Sequence, residues 1–316
     1  MNYYKKLLKN VFVLQTTFAK GVGFLFILCT NLLVVAQQEP VFSLNESNRG
    51  YFNPGATAIV DKYLVHTQYR NQWIGFGSGN PRTYLFQYEM DINRINSGVG
   101  IVAMRDEIGF SINHKIGLNY RYTFALGKEA SLSPGLGVLW YKRGLSKEFV
   151  VPQTVNDPYV QFESSTVSVN FGLYFQWRKL NVGVGGQHLN TLFKKGRGFY
   201  TNLIADYTFD LGDKFSLIPT AFLLTDWVKT SVFVAVKGMH FNRFWWQAGY
   251  RFSGRTLSAG AGVQVWNRLF IGAAYEYSLY DMLSSVRHTI EATLSFRIQK
   301  PGKVKSPPVS DETNGL

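Results

Sequence analysis

The histidines are the residues of this chain with the clearest capacity for chemistry, and their spacing supports neither a metal site nor a catalytic pair. Five are spread along the sequence: His66, His114, His188, His240 and His288. None belongs to a His-x-x-x-His pair, a common arrangement for binding zinc. The single cysteine, Cys29, lies in the amino-terminal leader. We therefore predict no metal site and no cofactor.

Two further patterns could suggest an enzyme, and both have structural explanations. His288 and Glu291 are three residues apart, so on a β-strand they face opposite sides and cannot act together. The glycine-rich run 182–186 could suggest a phosphate loop, but such a loop must lead into a helix. Here the run lies within a strand pattern. The sequence therefore predicts a protein that is not an enzyme.

Charged residues of both signs recur on the polar rows of the predicted strands. They are Lys115, Arg121, Asp206, Lys237, Arg251, Glu276, Glu291 and Arg297. If these rows face the inside of a barrel, the mixture of signs favours ion pairs that plug or narrow the bore, or a bore filled by a partner. The alternative is a charged filter that sets the selectivity of a pore.

The first 36 residues read as an export signal. Four lysines precede an apolar stretch from Val22 to Val35, and Ala36 supplies a small residue before a predicted cleavage at Gln37. Without the leader, 29 basic residues face 20 acidic ones, a net charge of +9. These cations are scattered along the chain, which favours lipid headgroups or a polar lumen over nucleic acid as their surroundings.

After the leader, side chains alternate between apolar and polar with the period of a β-strand. In residues 166–178 the apolar row runs from Val167 to Trp177, while the other row carries Ser168, Asn170 and Gly172. Aromatic residues make up 16% of the chain and often stand near strand ends, as in the interfacial girdles of membrane proteins. A soluble sandwich would place more charge on its polar rows. We predict an all-β transmembrane antiparallel barrel in a bacterial outer membrane.

About fourteen strands can be placed from this alternation. They lie near 60–70, 82–90, 97–105, 113–126, 130–143, 164–178, 179–187, 198–209, 214–224, 229–238, 243–252, 255–265, 268–278 and 286–298. An even number places both ends of the barrel sequence on the periplasmic side, where connections are short. Longer connections are predicted at 71–81, 144–163, 188–197 and 279–285, on the opposite side. The predicted organisation is a signal peptide (1–36), a periplasmic segment (37–58), the barrel (59–298) and a disordered periplasmic tail (299–316).

Several motifs of the mature chain resemble one family. They are Glu39-Pro40-Val41-Phe42-Ser43, Tyr51-Phe52-Asn53-Pro54-Gly55, Tyr69-Arg70-Asn71-Gln72-Trp73 and Pro81-Arg82-Thr83, with a late segment from Trp246 to Glu291. This order is similar to the PorP/SprF family of type IX secretion system outer-membrane proteins of the Bacteroidetes. Gly55 replaces the family's usual Ala, Glu39 its usual Asp, and its His-Glu pair is split into His288 and Glu291.

The resemblance implies a component of the type IX secretion and gliding system. Such a protein would help secrete or anchor a large cell-surface adhesin through the adhesin's C-terminal domain, alongside other secretion components and outer-membrane lipid. The motif residues to carry over, as structural or partner contacts, are Asn53, Pro54, Tyr69, Arg70, Gln72, Trp73, His288 and Glu291. A structural role is favoured: Asn53-Pro54 as a turn before the first strand, and Arg70 over an aromatic face at the membrane surface. The alternative function is a general diffusion channel, and an outer-membrane hydrolase is a distant third.

Overall fold

A computed structural model describes residues 39–77, 79–146, 164–189, 198–241, 243–266, 268–279 and 287–300. The predicted signal peptide and nearly all of the predicted tail lie outside these ranges, as do large parts of three of the predicted long connections. No helix in the described ranges is long and apolar enough to cross a membrane.

The wall of the molecule is a single antiparallel sheet. Its strands are β1 (Asp61–Ile74), β2 (Arg82–Ile92), β3 (Ser97–Ile108), β4 (Ser111–Tyr122), β5 (Phe124–Leu126), β6 (Ala130–Leu145), β7 (Ser164–Trp177), β8 (Leu180–Gln187), β9 (Tyr200–Tyr207), β10 (Phe209–Asp210), β11 (Phe215–Thr225), β12 (Thr230–His240), β13 (Phe244–Arg251), β14 (Thr256–Trp266), β15 (Leu269–Ser278) and β16 (His288–Gln299). The two short strands, β5 and β10, continue β4 and β9 after a one-residue break. The described wall therefore has fourteen strands.

The sheet closes on itself. β1 pairs with β16, and β9 pairs with β11, so the ring has no free edge among these strands. Closure satisfies the backbone hydrogen-bonding groups that would otherwise face lipid. This confirms the predicted antiparallel barrel of about fourteen strands. We call the end where β1 begins and β16 finishes the lower end, and the opposite end the upper end.

Alternation along each strand separates the two faces of the wall. On β7, Ser168, Asn170 and Tyr174 are buried inside the barrel, whereas Val167 and Leu173 are about half exposed on the outer face. The predicted polar rows of β4, β14 and β16 face inward in the same way. A polar interior and an apolar exterior are what a barrel in lipid requires.

The chain preceding β1 lies inside the barrel. Residues 39–60, which we call the lumenal segment, contain 3-10 turns at Glu46–Asn48 and Pro54–Ala56 and one α-helical turn at Arg49–Phe52. Nearly all of the segment is buried. The sequence predicts a periplasmic position for 37–58, and the structure corrects this for the described residues, which lie in the lumen. The segment carries aromatic rings and charges that match the inner wall, so it fills the bore.

Candidate functional site

The most densely bonded part of the lumenal segment is the backbone at Ser43 and Leu44. The Glu291 carboxylate accepts hydrogen bonds from the Ser43 N–H at 2.8 Å and the Leu44 N–H at 2.9 Å. The Gln247 side-chain amide donates to the Ser43 carbonyl at 2.9 Å. Gln68 adds a third donor to Glu291 at 3.0 Å. Side chains of β13 and β16 thus bind both polar groups of the peptide unit between Ser43 and Leu44.

Buried arginines balance the carboxylates at this point. Arg70 on β1 forms ion pairs with Glu291 on β16 and with Glu276 on β15, the latter at 2.7 Å. Arg251 on β13 pairs with Glu276 at 3.0 Å. We call Arg70, Arg251, Glu276 and Glu291 the Ser43 clamp. Removing one member of a buried ion pair typically costs about 3–5 kcal/mol, because the remaining charge loses its partner.

A second polar cluster holds the beginning of the segment in the upper half of the barrel. The Glu39 carboxylate receives the Lys115 ammonium of β4 at 2.5 Å and the Tyr51 hydroxyl at 2.6 Å. A ring nitrogen of His188, next to the upper end of β8, lies 3.3 Å from the same carboxylate. The first described residue of the chain is therefore fixed near the upper mouth.

Two further ion pairs hold the middle of the segment in the lower half. Arg49 contacts Asp206 on β9 at 2.8 Å, and Lys237 on β12 contacts Glu46 at 2.5 Å. Each pair joins the segment to a different strand. Together with the Ser43 clamp, they connect the segment to opposite sides of the ring.

Arg121 of β4 holds the end of the segment, just before β1 begins. Its Nε donates to the Thr57 carbonyl at 2.6 Å, and the same guanidinium contacts Asp91 on β2 at 2.5 Å. The anchoring contacts therefore extend over nearly the whole length of the segment.

Aromatic packing fills the space between these polar anchors. Phe52 contacts Phe222 of β11 with ring centroids 4.9 Å apart, and Tyr51 and Phe42 pack against it at 4.8 and 6.4 Å. All four side chains are at most 4% exposed. A closed barrel of this size contains space that its own inward side chains do not fill, and here the segment supplies a hydrophobic core.

Glycines of the wall let the segment approach the backbone of β6 and β7. A Cβ atom added at Gly135 would lie 2.3 Å from the Gly55 nitrogen, and one at Gly172 would lie 1.8 Å from the Asn53 side-chain oxygen. Neither position leaves room for a methyl group. Pro54 and Gly55 thus lie directly against the wall.

The motif residues Asn53 and Pro54 form the turn that was expected before β1, but inside the barrel. The Asn53 side chain accepts a hydrogen bond from the Gly55 N–H at 2.8 Å and donates to the Leu173 carbonyl at 3.1 Å. Pro54 begins the 3-10 turn that follows, a position where its missing N–H costs no hydrogen bond.

The Tyr69–Trp73 motif is divided between the two faces of β1. Tyr69 packs against Tyr84 on the outer face at 5.0 Å, and Trp73 lies at the upper end, 45% exposed, with its ring 6.3 Å from Phe76. The Gln72 backbone N–H donates to the Pro81 carbonyl at 2.8 Å. The expectation that Arg70 covers an aromatic face was wrong: alternation turns it into the lumen.

His288 and Glu291 lie on opposite faces of β16. His288 faces outward and its ring nitrogen bonds the Tyr275 hydroxyl, whereas Glu291 belongs to the Ser43 clamp. Only Arg70 and Glu291, among the eight motif residues, are brought into direct contact by the barrel. Sequence reasoning missed three charged residues of the lumenal segment, because no periodic signal marks them: Glu39, Glu46 and Arg49. Their partners on the wall are Lys115, Lys237 and Asp206.

The side chains of this site are arranged to hold a peptide segment of the same chain. Its carboxylates, guanidinium groups and amides bind one another or the segment's backbone. Within the described ranges, no group of three or more His, Cys, Asp or Glu side chains is arranged to hold a metal ion. The mixed charges of the inner rows favour a filled lumen, and residues 39–60 of the same chain fill it.

Comparison with known proteins assigns the chain to a family. The model of the family described as type IX secretion system membrane protein PorP/SprF matches residues 34–296. The chain belongs to the PorP/SprF family. It is therefore a membrane component of type IX secretion, integral to the outer membrane. No curated protein matches this PorP/SprF sequence.

Solved structures with similar barrels are distant in sequence from this PorP/SprF protein. Omp33 of Acinetobacter baumannii is 9% identical with a TM-score of 0.48, over 77% of this chain and 100% of that one. The monoaromatic hydrocarbon channel CymD is 12% identical with a TM-score of 0.49, over 83% and 95%. A FadL homologue of Pseudomonas aeruginosa is 13% identical with a TM-score of 0.46, over 79% and 93%.

Proposed function

We propose that this PorP/SprF protein is a non-enzymatic component that helps secrete or anchor a large cell-surface adhesin. The observation that carries the proposal is the filled bore. The lumenal segment is held by ion pairs and hydrogen bonds to strands on several sides of the ring. A barrel held in this way is suited to present a fixed surface to a partner, rather than to let solutes diffuse through it.

The partner surface is expected at the upper end. Both ends of the barrel sequence lie at the lower end, which in bacterial barrels faces the periplasm, so the upper end would face the outside. The predicted long connections belong to that end. There the adhesin's C-terminal domain would meet the upper end of a barrel whose lumen is filled.

Deleting the protein in its native cell tests this role. Surface proteins are labelled on intact cells and quantified by mass spectrometry, and the medium is analysed for released proteins. We expect one or a few large surface proteins to be lost from the surface in the deletion strain and restored by the wild-type gene. An unchanged surface profile would contradict the proposal.

The alternative, a general diffusion channel, is tested on the purified protein. Reconstituted into planar bilayers, a barrel with a retained lumenal segment should give no sustained conductance. Stable open currents from the wild-type protein would favour the channel. A pull-down of the tagged barrel in mild detergent adds a second test, since the proposal requires a large secreted protein or type IX components to accompany it.

A further inference from the structure

The inner wall binds the lumenal segment largely through its main chain, and this is clearest at the helical turn Arg49–Phe52. The last carbonyl groups of a helical turn have no partners within the turn. Here three consecutive carbonyls each accept a hydrogen bond from a side-chain amide on a different strand: Gly50 from Asn119 of β4 at 2.8 Å, Tyr51 from Gln187 of β8 at 2.8 Å, and Phe52 from Asn202 of β9 at 2.7 Å. Because every residue has a backbone carbonyl, these contacts do not depend on the side chains at the three positions.

The same kind of contact holds both ends of the segment. At one end are the contacts to the Ser43 backbone. At the other end, the Glu89 carboxylate of β2 accepts a hydrogen bond from the Ala58 N–H at 2.6 Å. Arg121 donates to the carbonyls of Thr57 and Ala58 at 2.6 and 3.3 Å. Within the described ranges, seven wall side chains from six strands thus bind nine main-chain groups of the segment.

The ring of strands is complete without the segment. Strand pairing closes the described wall between wall strands alone, and residues 39–60 take part in none of these pairings. The segment continues into the wall at one point, where Val60, 48% exposed at the lower mouth, precedes β1. The segment is therefore a linear occupant of a closed ring, and its relation to the wall is that of a bound peptide to its receptor.

Side-chain contacts restrict which peptide fits the bore. Three charges of the segment have partners on the wall: Glu39 with Lys115, Glu46 with Lys237, and Arg49 with Asp206. The Phe52 ring packs against Phe222 of β11 and is itself covered by Phe42 and Tyr51. A matching peptide therefore has acidic residues in its first part, an arginine in its middle, and an adjacent pair of aromatic residues after that arginine.

We propose that the bore is a peptide-binding site whose occupant need not belong to the same chain. A segment of another polypeptide with this charge and aromatic pattern binds in place of the lumenal segment. Its main chain supplies most of the hydrogen bonds, and its side chains supply the specificity, as in other modes of peptide recognition. The site goes beyond the proposed role in secretion and does not depend on it.

Cutting the connection between segment and wall tests the site. A protease recognition sequence is inserted next to the exposed Val60, and the folded full-length barrel is cut in mild detergent. We expect the segment to stay bound through gel filtration. The cut protein is then unfolded in urea and refolded with an equal amount of a fluorescent synthetic peptide of residues 39–60. By mass action, about half of the refolded barrels should carry the label. Heat-dependent mobility on gels verifies that the barrel has refolded.

A peptide with altered backbone tests how the occupant is recognised. Esters in place of the amides of Ser43 and Leu44 remove the two N–H donors to Glu291 and leave every side chain in place. Because both lost hydrogen bonds are charge-assisted, this peptide should compete at least about 100-fold less well. The matched control has esters at Glu46 and Ser47, whose N–H groups bind no wall side chain among the described residues. It should compete as well as the unmodified peptide.

Four results would overturn the proposal. The first is loss of the segment from the folded barrel on cutting, and the second is exclusion of the labelled peptide from refolded barrels. The third is equal uptake of a peptide with the same composition in scrambled order, which would show unspecific hydrophobic binding. The fourth is equal competition by the two ester peptides, which would show that the wall does not recognise the main chain at Ser43.

Discussion

Glu291 offers the sharpest test of whether the lumenal segment is held by the Ser43 clamp. The change Glu291→Ala removes the acceptor of the Ser43 and Leu44 backbone N–H groups and one of the two carboxylates around Arg70. Arg70 keeps Glu276. Because the Glu291 side chain points inward, the backbone pairing of β16 is left intact. The segment therefore loses the acceptor of two backbone hydrogen bonds, and the wall loses one ion pair between β1 and β16.

The magnitude follows from the burial of the clamp. Glu291 is 2% exposed, so the two hydrogen bonds that it accepts from the segment are buried and charge-assisted, and each contributes about 1.5–3 kcal/mol. Losing about 3 kcal/mol or more raises the released population of the segment at least about 100-fold, at about 1.4 kcal/mol per tenfold.

Thiol labelling measures this population. Ser43→Cys places a buried, nearly isosteric reporter in the clamp, and the predicted mature chain has no cysteine of its own. The rate of reaction with a bulky, membrane-impermeant maleimide is compared with and without Glu291→Ala. We expect a rise of at least about 100-fold, in line with the lower limit for the two charge-assisted hydrogen bonds.

The matched control for this experiment is Glu107→Ala, which removes a carboxylate from the outer face and should leave labelling unchanged. Glu291→Gln, which keeps a carbonyl acceptor but not the charge, should give an intermediate rate. A labelling rate for Glu291→Ala within threefold of the parent would show that the clamp does not retain the segment, and would refute the reasoning above.

Two further predictions concern the fit of the segment and the position of the wall in lipid. Gly135→Ala should displace Pro54, because the added methyl group would overlap the Pro54 backbone. Limited proteolysis should then cut the lumenal segment. In the control variant Gly198→Ala, where the nearest atom to the added methyl group is 3.6 Å away, the segment should stay protected from cleavage. Leu136→Arg, on the outer face of mid-strand β6, should cost about 2–4 kcal/mol of stability in urea titrations in lipid vesicles, against about 0–1 kcal/mol for Leu126→Arg near the lower end. Equal costs would place the lipid boundary elsewhere.

The barrel could be predicted from the sequence because its information is local. Each strand needs only alternation over about ten residues, and the run Val167–Trp177 supplies it without exception. Even the less regular stretch at 51–112 gave β2 and β3 to within three residues of their observed ends. The inward position of the charged rows followed from the same alternation, because a strand with one face in lipid must turn its charged side chains to the other face.

The lumenal segment could not be predicted in the same way. It is held by partners far away in the sequence: Ser43 bonds a residue 248 positions later. It has no period, and its turns at Glu46–Asn48 and Pro54–Ala56 are too short to show a hydrophobic face. Its one available signal was composition. Aromatic residues at Phe42, Tyr51 and Phe52 are unusual for a chain exposed to water, and the five basic residues predicted in the bore outnumber its three acidic ones.

The Ser43 clamp straddles the seam where the first and last strands meet. Arg70 and Glu291 are 221 residues apart in the chain, and they become neighbours only when β1 pairs with β16. During assembly the contacts of the segment with β4, β9 and β12 can form in an unfinished sheet, but the pair between Arg70 and Glu291 forms only when β1 meets β16. Closing the barrel therefore also completes the attachment of the segment, and a barrel with an open seam would hold the segment without this clamp.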